Sequence, residues 1–332
     1  MRPSLIASTI ESMVAVARAM HLEGKPGLGK TQIVRQVADT MGIGFMQLHA
    51  PLMQPEDYGM PVVNASRDGV TFVVPTEKFP IEGSNCPERG ILLVDELPQA
   101  DNSGQKILAN LIQEREIHGK RLKKGWTIVS TGNRAADRAG ANRILSHLRN
   151  RMTTLEFEPH LDDWCVWALE NDVAPEVVSF IRFRPGLLCD FDPQRDINPT
   201  PRAWVEGVSP IIAKVPAEAE FECFKGAVGE GAAAEFVGFL NIFRKLPNPD
   251  AVLMNPDTAD VPEDGATRYA ISGAIAARAT DANFERVLTY AKRLPAEFMV
   301  LVVRDAIRHN KAIQNTKAFT QWAMKEGAKV LL

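Results

Sequence analysis

A short segment near the start of the chain has the residue types and spacing of a phosphate-binding loop. Residues 24–31, Gly-Lys-Pro-Gly-Leu-Gly-Lys-Thr, match the pattern G-x-x-x-x-G-K-[ST]. In such a loop, glycines let backbone N–H groups point at phosphate oxygens, the lysine reaches the β and γ phosphates, and the final hydroxyl reaches Mg²⁺. The residues predicted to bind a nucleoside triphosphate are Gly24, Pro26, Gly27, Leu28, Gly29, Lys30 and Thr31.

A pair of carboxylates follows an apolar run further along the chain. Residues 91–94, Ile-Leu-Leu-Val, are typical of a parallel strand that is buried on both faces, and Asp95 and Glu96 come directly after it. Such a run is common on its own, but after a complete phosphate-binding loop it indicates the second half of a nucleotide site. Asp95 is predicted to hold Mg²⁺ together with Thr31, and Glu96 to polarise the water that attacks the γ phosphate.

A polar amide is predicted at the end of another strand. Residues 126–131, Trp-Thr-Ile-Val-Ser-Thr, are rich in β-forming types and are followed by Gly132 and Asn133. The carboxyl ends of parallel strands meet at one edge of a sheet. Asn133 is therefore predicted to orient the attacking water.

Two arginines precede the next β-rich run, residues 152–157. An arginine placed just before a strand can project into a neighbouring subunit, where it neutralises transition-state charge. We favour Arg151 for this role and keep Arg149 as the alternative.

Arg202 lies where a helix is expected to begin. Thr200 is the predicted N-cap, and Pro201 takes the first helical position. A cation is unfavourably placed near the positive end of a helix dipole. Arg202 is therefore predicted to contact an anion, namely the γ phosphate of the nucleotide.

The elements that position these residues follow from hydrophobic spacing. A short apolar run, residues 19–22, precedes the loop, and apolar residues at helical spacing follow it as far as Gly42. This order of strand, loop and helix is the context that a phosphate-binding loop requires. Together with the strands before Asp95 and Gly132, it predicts an α/β core.

Composition excludes several classes of protein. A length of 332 residues with 45% hydrophobic and 24% charged residues suits two globular domains. No window approaches the about 20 apolar residues of a membrane helix, and no secretory pattern is present, so we expect a cytoplasmic protein with no membrane partner. The 4 cysteines and 6 histidines show no metal-binding spacing, and a net charge of −3 argues against a general polyanion binder.

Together, these motifs resemble the AAA+ ATPases, and specifically the MoxR-like and dynein-related branch, over about residues 3–210. The resemblance is carried by the loop at 24–31, Asp95-Glu96, residues 130–133, Arg151, residues 200–203, and Gln-Pro-Glu-Asp-Tyr-Gly-Met-Pro at 54–61. It implies an AAA+ P-loop NTPase core, with a parallel five-stranded sheet and flanking helices, followed by a helical lid. It also implies ATP and Mg²⁺ as cofactors, ATP hydrolysis, and a homo-oligomeric ring, usually a hexamer, in which a neighbour's arginine completes each site.

The sequence also predicts a domain organisation. The resemblance places the core at 1–158 and the helical lid at 159–242. Composition predicts a Pro- and Asp-rich linker or surface loop at 243–268, and helical patterns predict a C-terminal helical region at 269–332. This sequence departs from the family at Lys25, where a small or apolar residue is usual, and at Met152, where an aromatic is usual. The polar residue that restrains the catalytic glutamate maps to Gln47 or His49.

Two β-hairpins that this branch carries have candidates here. Residues 62–74 surround Asp68-Gly69, a strong hairpin turn signal, and residues 116–122 form the second candidate. In the family, a hairpin at the second position faces the pore of the ring. Basic residues cluster there: Lys120, Arg121, Lys123 and Lys124.

Three functions compete on these observations. The first is an ATP-hydrolysing ring that remodels a protein client. The second is a nucleic-acid motor or loader of the same fold, in which the basic hairpin contacts DNA. The third is a nucleotide-gated scaffold with little turnover, against which the presence of Glu96, Asn133 and Arg202 argues.

Overall fold

The computed structural model describes residues 1–64, 69–134, 137 and 144–325. The chain divides into two units, one formed by Met1–His160 with Phe191–Gln194, and the other by Leu161–Asp190 with the chain from Arg195 onward. The described strands are β1 Met20–Glu23, β2 Gly44–His49, β3 Met60–Asn64, β4 Gly69–Val73, β5 Arg89–Asp95, β6 Glu116–Ile117, β7 Lys120–Arg121, β8 Gly125–Gly132 and β9 Thr153–Glu156.

Helices account for most of the remaining ordered backbone in the described ranges. The described α-helices are α1 Pro3–Ala15, α2 Lys30–Met41, α3 Pro55–Tyr58, α4 Asn102–Glu114, α5 Ser146–Arg149, α6 Leu161–Glu170, α7 Pro175–Phe183, α8 Ala217–Val228, α9 Glu230–Arg244, α10 Pro249–Met254, α11 Gly265–Ala277, α12 Phe284–Ala291, α13 Ala296–His309 and α14 Lys317–Lys325. No helix among the described residues is long and apolar enough to cross a bilayer.

The first unit is built on a five-stranded sheet in the order β2-β5-β8-β1-β9, and each neighbouring pair is parallel. Residues 90–95 of β5 are all buried, because helices cover both faces of a parallel sheet. On α2, the buried residues recur at the predicted helical spacing and face the sheet. The predicted P-loop core with a parallel five-stranded sheet is confirmed.

Two small hairpins leave this core. Strands β3 and β4 pair antiparallel from Met60 opposite Val73, and β6 and β7 pair from Glu116 opposite Arg121. Both sites were predicted as hairpins, although residues 65–68, which include the predicted turn residue Asp68, lie outside the described residues. The hairpins touch where the Phe72 ring stacks on His118, with the ring centroids 4.2 Å apart.

The basic cluster on the second hairpin is smaller than its sequence indicates. Lys120, Arg121 and Lys124 are exposed. Lys123 is buried, and its Nζ donates to the Glu88 carboxylate and to the Cys86 carbonyl, each at 2.7 Å. A lysine held in this way contributes little to binding a polyanion, because its charge is already paired.

The second unit is helical and contains two apolar clusters. Phe180, Trp204 and Phe236 form the aromatic centre of one cluster, and Phe284, Val302 and Trp322 belong to the other. Helix α11 contributes to both, because Ala270 lies in the first and Ile271 in the second. Helix α11 therefore packs both against helices that precede the predicted linker and against helices that follow it.

The Pro- and Asp-rich stretch at 243–268 contains helix ends, which its composition concealed. Asn248 accepts a hydrogen bond from Asp250 N at 2.9 Å and caps α10, which starts at Pro249. Asp264 accepts from Thr267 N at 2.8 Å and caps α11. Proline and short polar residues are favoured at helix N-termini as well as in loops, so composition alone does not separate the two.

A buried ion pair joins α7 to α13 within this unit. Arg182, which is 9% exposed, donates through both terminal nitrogens to Asp305, which is 2% exposed. Burial opposes the charge on Arg182, but the Asp305 carboxylate outweighs it and holds the pKa of the guanidinium above its usual value. Such a pair holds two helices in one relative position.

Replacing Arg182 with methionine is expected to lower the free energy of unfolding by about 3 kcal/mol, because Asp305 would remain buried without its hydrogen-bonded partner. The other cation near it, Arg308, lies 3.8 Å from Asp305 Oδ1. The control is Arg278→Met, which breaks an exposed pair with Asp250 and is expected to cost at most about 1 kcal/mol. Urea unfolding followed by circular dichroism measures both. Equal losses from the two variants would contradict this assignment of the buried pair.

Candidate functional site

The phosphate-binding loop connects β1 to α2, as its sequence context predicts. At Gly24 an added Cβ would lie 2.5 Å from the Phe157 carbonyl oxygen, so a side chain does not fit there. Gly29 has φ 88° and is the N-cap of α2, a left-handed conformation that favours glycine. Between them, Leu28 is buried while Pro26 and Gly27 are partly exposed, which leaves the loop backbone accessible at the helix N-terminus.

Lys30 extends along the loop and links it to the end of β8. Its Nζ donates to Gly24 O at 2.9 Å, to Lys25 O at 2.8 Å and to Asn133 Oδ1 at 3.0 Å. The two residues predicted to contact the γ phosphate and its attacking water, Lys30 and Asn133, are thus in direct contact. This contact required the sheet, since the residues are far apart in the sequence.

Thr31 and Asp95 are also brought together. The Thr31 hydroxyl lies 2.9 Å from Asp95 Oδ1 and 3.0 Å from Oδ2. A hydroxyl beside a carboxylate at the mouth of a phosphate-binding loop provides the oxygen ligands that Mg²⁺ prefers, with substrate phosphates supplying others. The donor set present therefore fits the predicted ion, and Thr31 and Asp95 are the residues that would hold it.

The Asp95 carboxylate accepts two further hydrogen bonds from side chains. Gln47 Nε2 donates to Oδ2 at 3.0 Å, and Gln47 is itself held by Arg35, whose Nη2 donates to Gln47 Oε1 at 2.9 Å. Thr131 Oγ1 donates to Oδ1. A carboxylate held by three donors is restricted in rotamer, so its oxygens have fixed positions.

The side chain of Glu96 takes no part in the described hydrogen bonds of Asp95. Its side chain is exposed, and its backbone is left-handed, with φ 56°. Neither Gln47 nor His49, the candidates for a residue that restrains it, hydrogen-bonds to Glu96 among the described contacts. Gln47 bonds Asp95, and His49 Nδ1 lies 3.9 Å from the same carboxylate.

Thr131 is a residue of the site that sequence reasoning missed. It lies 1% exposed on β8, and besides its bond to Asp95 it accepts a hydrogen bond from Glu96 N at 3.1 Å. The register pairs Val94 with Ser130, which brings Thr131 alongside Asp95. A hydroxyl residue at the carboxyl end of a predicted strand was the available signal, but it identifies no partner without the register.

His21 lies beneath the loop in the middle of β1. It is completely buried, and burial lowers its pKa to about 3, with smaller contributions from the charges of Arg149 and Lys30. Its Nδ1 lies 2.8 Å from Ser130 Oγ, whereas its Nε2 has no partner among the described residues. The imidazole is neutral at physiological pH and adds no positive charge to the site.

The two candidate arginines differ in their surroundings. Arg149 Nη2 donates to both carboxylate oxygens of Glu23, at 3.0 and 2.9 Å, and Glu23 directly precedes the phosphate-binding loop. Arg151 is partly exposed, and its side chain forms no ion pair or hydrogen bond with a described residue. Arg149 is therefore engaged within its own chain, and Arg151 is available to another molecule.

Arg134, directly after Asn133, was not predicted to have a role. Its Nε and Nη2 donate to the Asp137 carboxylate at 3.0 Å each, and it also pairs with Glu156 at the end of β9. These charged hydrogen bonds tie the end of β8 to β9. They restrain the backbone that carries Asn133.

Arg202 lies in the second unit. Thr200 Oγ1 accepts from Ala203 N at 3.2 Å, so the predicted N-cap is present. The Arg202 side chain is 57% exposed and lies 3.9 Å from Glu206. Its predicted contact with the γ phosphate stays a prediction.

Comparison with known proteins bears on this site. Residues 20–158 match the model of the family described as ATPase family associated with various cellular activities (AAA). That segment runs from the start of β1 to just beyond β9 and contains every predicted site residue except Arg202. No curated protein matches the chain.

Two solved structures match the chain at low sequence identity. The Holliday junction branch migration motor RuvB of Thermotoga maritima is 15% identical, with 82% of this chain and 80% of that chain covered and a TM-score of 0.41. NtrX from Brucella abortus in complex with ATP is 12% identical, with 98% and 68% covered and a TM-score of 0.42. Similarity at this level implies nothing about a shared activity.

Proposed function

We propose that this chain, whose residues 20–158 match the AAA family model, binds ATP and hydrolyses it to ADP and phosphate. The observation that carries the proposal is the convergence of the loop with two strand ends. Thr31 lies 2.9 Å from Asp95, and Lys30 lies 3.0 Å from Asn133. A glycine-rich turn with no role in catalysis would not need Asp95, Glu96 and Asn133 at the strand ends beside it.

Each residue has a defined task in this proposal. Thr31 and Asp95 would hold Mg²⁺, which would supply positive charge against the phosphates. Lys30 exchanges its contacts with loop carbonyls for the β and γ phosphates, which the α2 N-terminus also favours. Glu96 accepts a proton from the attacking water, and Asn133 orients that water. Arg202 contacts the γ phosphate.

The site is completed by a second subunit in this proposal. Arg151 has no ion-pair partner among the described residues of its own chain, whereas Arg149 is bound to Glu23. A guanidinium that is unpaired among the described residues of its own chain can donate to an anion of another subunit. We therefore assign the arginine that acts on a neighbour's ATP to Arg151, in a homo-oligomeric ring, a hexamer, of the kind that the MoxR-like resemblance implies.

The same resemblance supports a client that is a protein. In this proposal, residues 159–242 act as the lid, residues 269–332 form a C-terminal helical region, and the ring remodels its client in the cytoplasm. The alternative, a nucleic-acid motor, depends on the basic hairpin, and the burial of Lys123 removes one of its four cations. A scaffold with little turnover would leave Glu96 and Asn133 without a role.

The test is the ATPase rate across a series of protein concentrations, with and without single-stranded and duplex DNA, at two salt concentrations. We expect a rate per subunit that rises with concentration, since sites complete only on assembly, and that does not respond to DNA. Stimulation by DNA that falls steeply with salt would favour the nucleic-acid motor, because phosphate contacts release counterions. Nucleotide binding without turnover at any concentration would favour the scaffold.

A further inference from the structure

Thr131 occupies a position between the two carboxylate residues of the candidate site. Its hydroxyl donates to Asp95 Oδ1 and accepts from Glu96 N at 3.1 Å. The hydroxyl has one hydrogen to donate. Glu96 N is itself a donor and the Asp95 carboxylate only accepts, so that hydrogen is directed at Asp95. One side chain thus contacts both the residue predicted to hold Mg²⁺ and the residue predicted to activate water.

The backbone at Glu96 explains why a support is needed. Glu96 has φ 56°, in the left-handed region that residues other than glycine rarely adopt. Such a conformation costs free energy and persists only where the surroundings determine it. The hydrogen bond from Glu96 N to the Thr131 hydroxyl is the described side-chain contact that holds this peptide in place.

We propose that Thr131 is a positioning residue that sets the geometry of Asp95 and Glu96 together, and this inference rests on the proposed ATPase function. The Thr131 hydroxyl holds the Asp95 carboxylate in the rotamer that also meets Thr31. It also holds the peptide that aims the Glu96 side chain. Thr131 itself does not contact the reacting atoms.

The chain offers a matched pair of substitutions and a control. Thr131→Val keeps the shape of the side chain and removes the hydroxyl, whereas Thr131→Ser keeps the hydroxyl. Thr127 is a second buried threonine on β8, and its hydroxyl donates to Val14 O at 3.4 Å, away from the carboxylates. Thr127→Val therefore reproduces a buried threonine-to-valine change on the same strand without touching the site.

Two measurements are made on the full chain. The first is steady-state ATP hydrolysis, resolved into kcat and KM. The second is the affinity for a fluorescent ATP analogue with Mg²⁺ and with EDTA, which does not depend on turnover. Thermal unfolding of each variant confirms that it is folded.

We expect Thr131→Val to lower kcat by about 10- to 100-fold, which is the effect of losing a hydrogen bond to a charged group. Its nucleotide affinity in EDTA is expected to match that of the wild type, while the tightening caused by Mg²⁺ is reduced. Thr131→Ser is expected to recover most of both properties, and Thr127→Val to change neither. If Thr131→Val does not fold, Thr131→Ala provides the same comparison.

Several outcomes would overturn the inference. Wild-type kcat and wild-type Mg²⁺ tightening in Thr131→Val would do so while leaving the ATPase proposal intact. Equal losses in Thr127→Val, or no recovery in Thr131→Ser, would show that the effect belongs to packing of the strand. If the wild type binds the analogue but hydrolyses no ATP, the ATPase proposal fails, and the Mg²⁺ comparison still decides whether Thr131 positions Asp95. A wild type that binds no nucleotide overturns both.

Discussion

Replacing Arg151 with alanine is expected to lower ATP turnover by about 10³-fold or more, while ATP binding is retained. The physical reason is that a guanidinium placed on the γ phosphate neutralises charge that develops in the transition state, and this is worth about 10³ to 10⁵ in rate. The ground-state affinity depends mainly on Lys30 and the loop, which the substitution leaves unchanged. The measurement is the ATPase rate together with equilibrium binding of a fluorescent ATP analogue.

The matched control is Arg149→Ala. Arg149 pairs with Glu23 in its own chain, and the arginine is about half exposed, so its loss is expected to cost at most about 1 kcal/mol of stability and less than about tenfold in turnover. A large loss in Arg149→Ala with a normal rate in Arg151→Ala would exchange the two assignments.

Mixing two variants tests whether Arg151 acts on a neighbouring subunit or within its own chain. An Arg151→Ala subunit retains its own Glu96, and a Glu96→Gln subunit retains its own Arg151. Mixing the two variants is therefore expected to produce a rate above the sum of the separate rates, because some sites then contain both groups. Mixtures no faster than that sum would indicate that Arg151 acts in its own chain.

Replacing Glu96 with glutamine is expected to lower turnover by about 10² to 10⁴-fold, because the amide cannot accept the proton of the attacking water. The substitution preserves size and leaves Lys30 and Thr31 in place, so ATP is expected to remain bound. Filter binding of radiolabelled ATP, followed by product analysis of the bound nucleotide, measures both effects. Hydrolysis by this variant at the wild-type rate would refute the assignment of Glu96 as the base.

Two control variants show whether the Glu96→Gln effect is on the chemical step or on nucleotide binding. Glu114→Gln removes an exposed carboxylate at the end of α4 and is expected to retain the wild-type rate. Lys30→Ala is expected to lose nucleotide binding itself, because its ammonium is the cation of the loop. The pattern of bound but uncleaved ATP in Glu96→Gln, against no bound ATP in Lys30→Ala, separates chemistry from binding.

The first unit, which contains the candidate nucleotide site, could be predicted from the sequence because its signals are local. The loop at 24–31 is contiguous, and its glycines meet steric demands that arise within a few residues, as the conformation of Gly29 shows. The buried run before Asp95 predicted a central parallel strand, and β5 has that burial. The hairpin at 62–74 was predicted from the local turn signal at Asp68-Gly69, whereas residues 116–122 were a candidate because the family resemblance implies a hairpin there.

The element boundaries of the second, helical unit were harder to predict from the sequence. The stretch at 243–268 has the composition of a linker, yet Asn248 and Asp264 cap helices there. The residues that start a helix are the same types that form loops, and tertiary packing of the following apolar residues decides between the two. Val252 and Leu253, for example, are buried in a cluster formed mainly by later helices.

The sequence by itself determined the candidate residues of a nucleotide site: the loop with Lys30 and Thr31, and the strand end with Asp95 and Glu96. The tertiary structure alone decided which residues support them. Thr131 and Gln47 meet the Asp95 carboxylate, Arg149 is bound to Glu23, and Lys123 is buried. The physical reason is that strands neighbouring each other in a parallel sheet are joined by long crossovers. Their register, and so the partners of each side chain, depends on the packing of the whole core and is not encoded in any short segment.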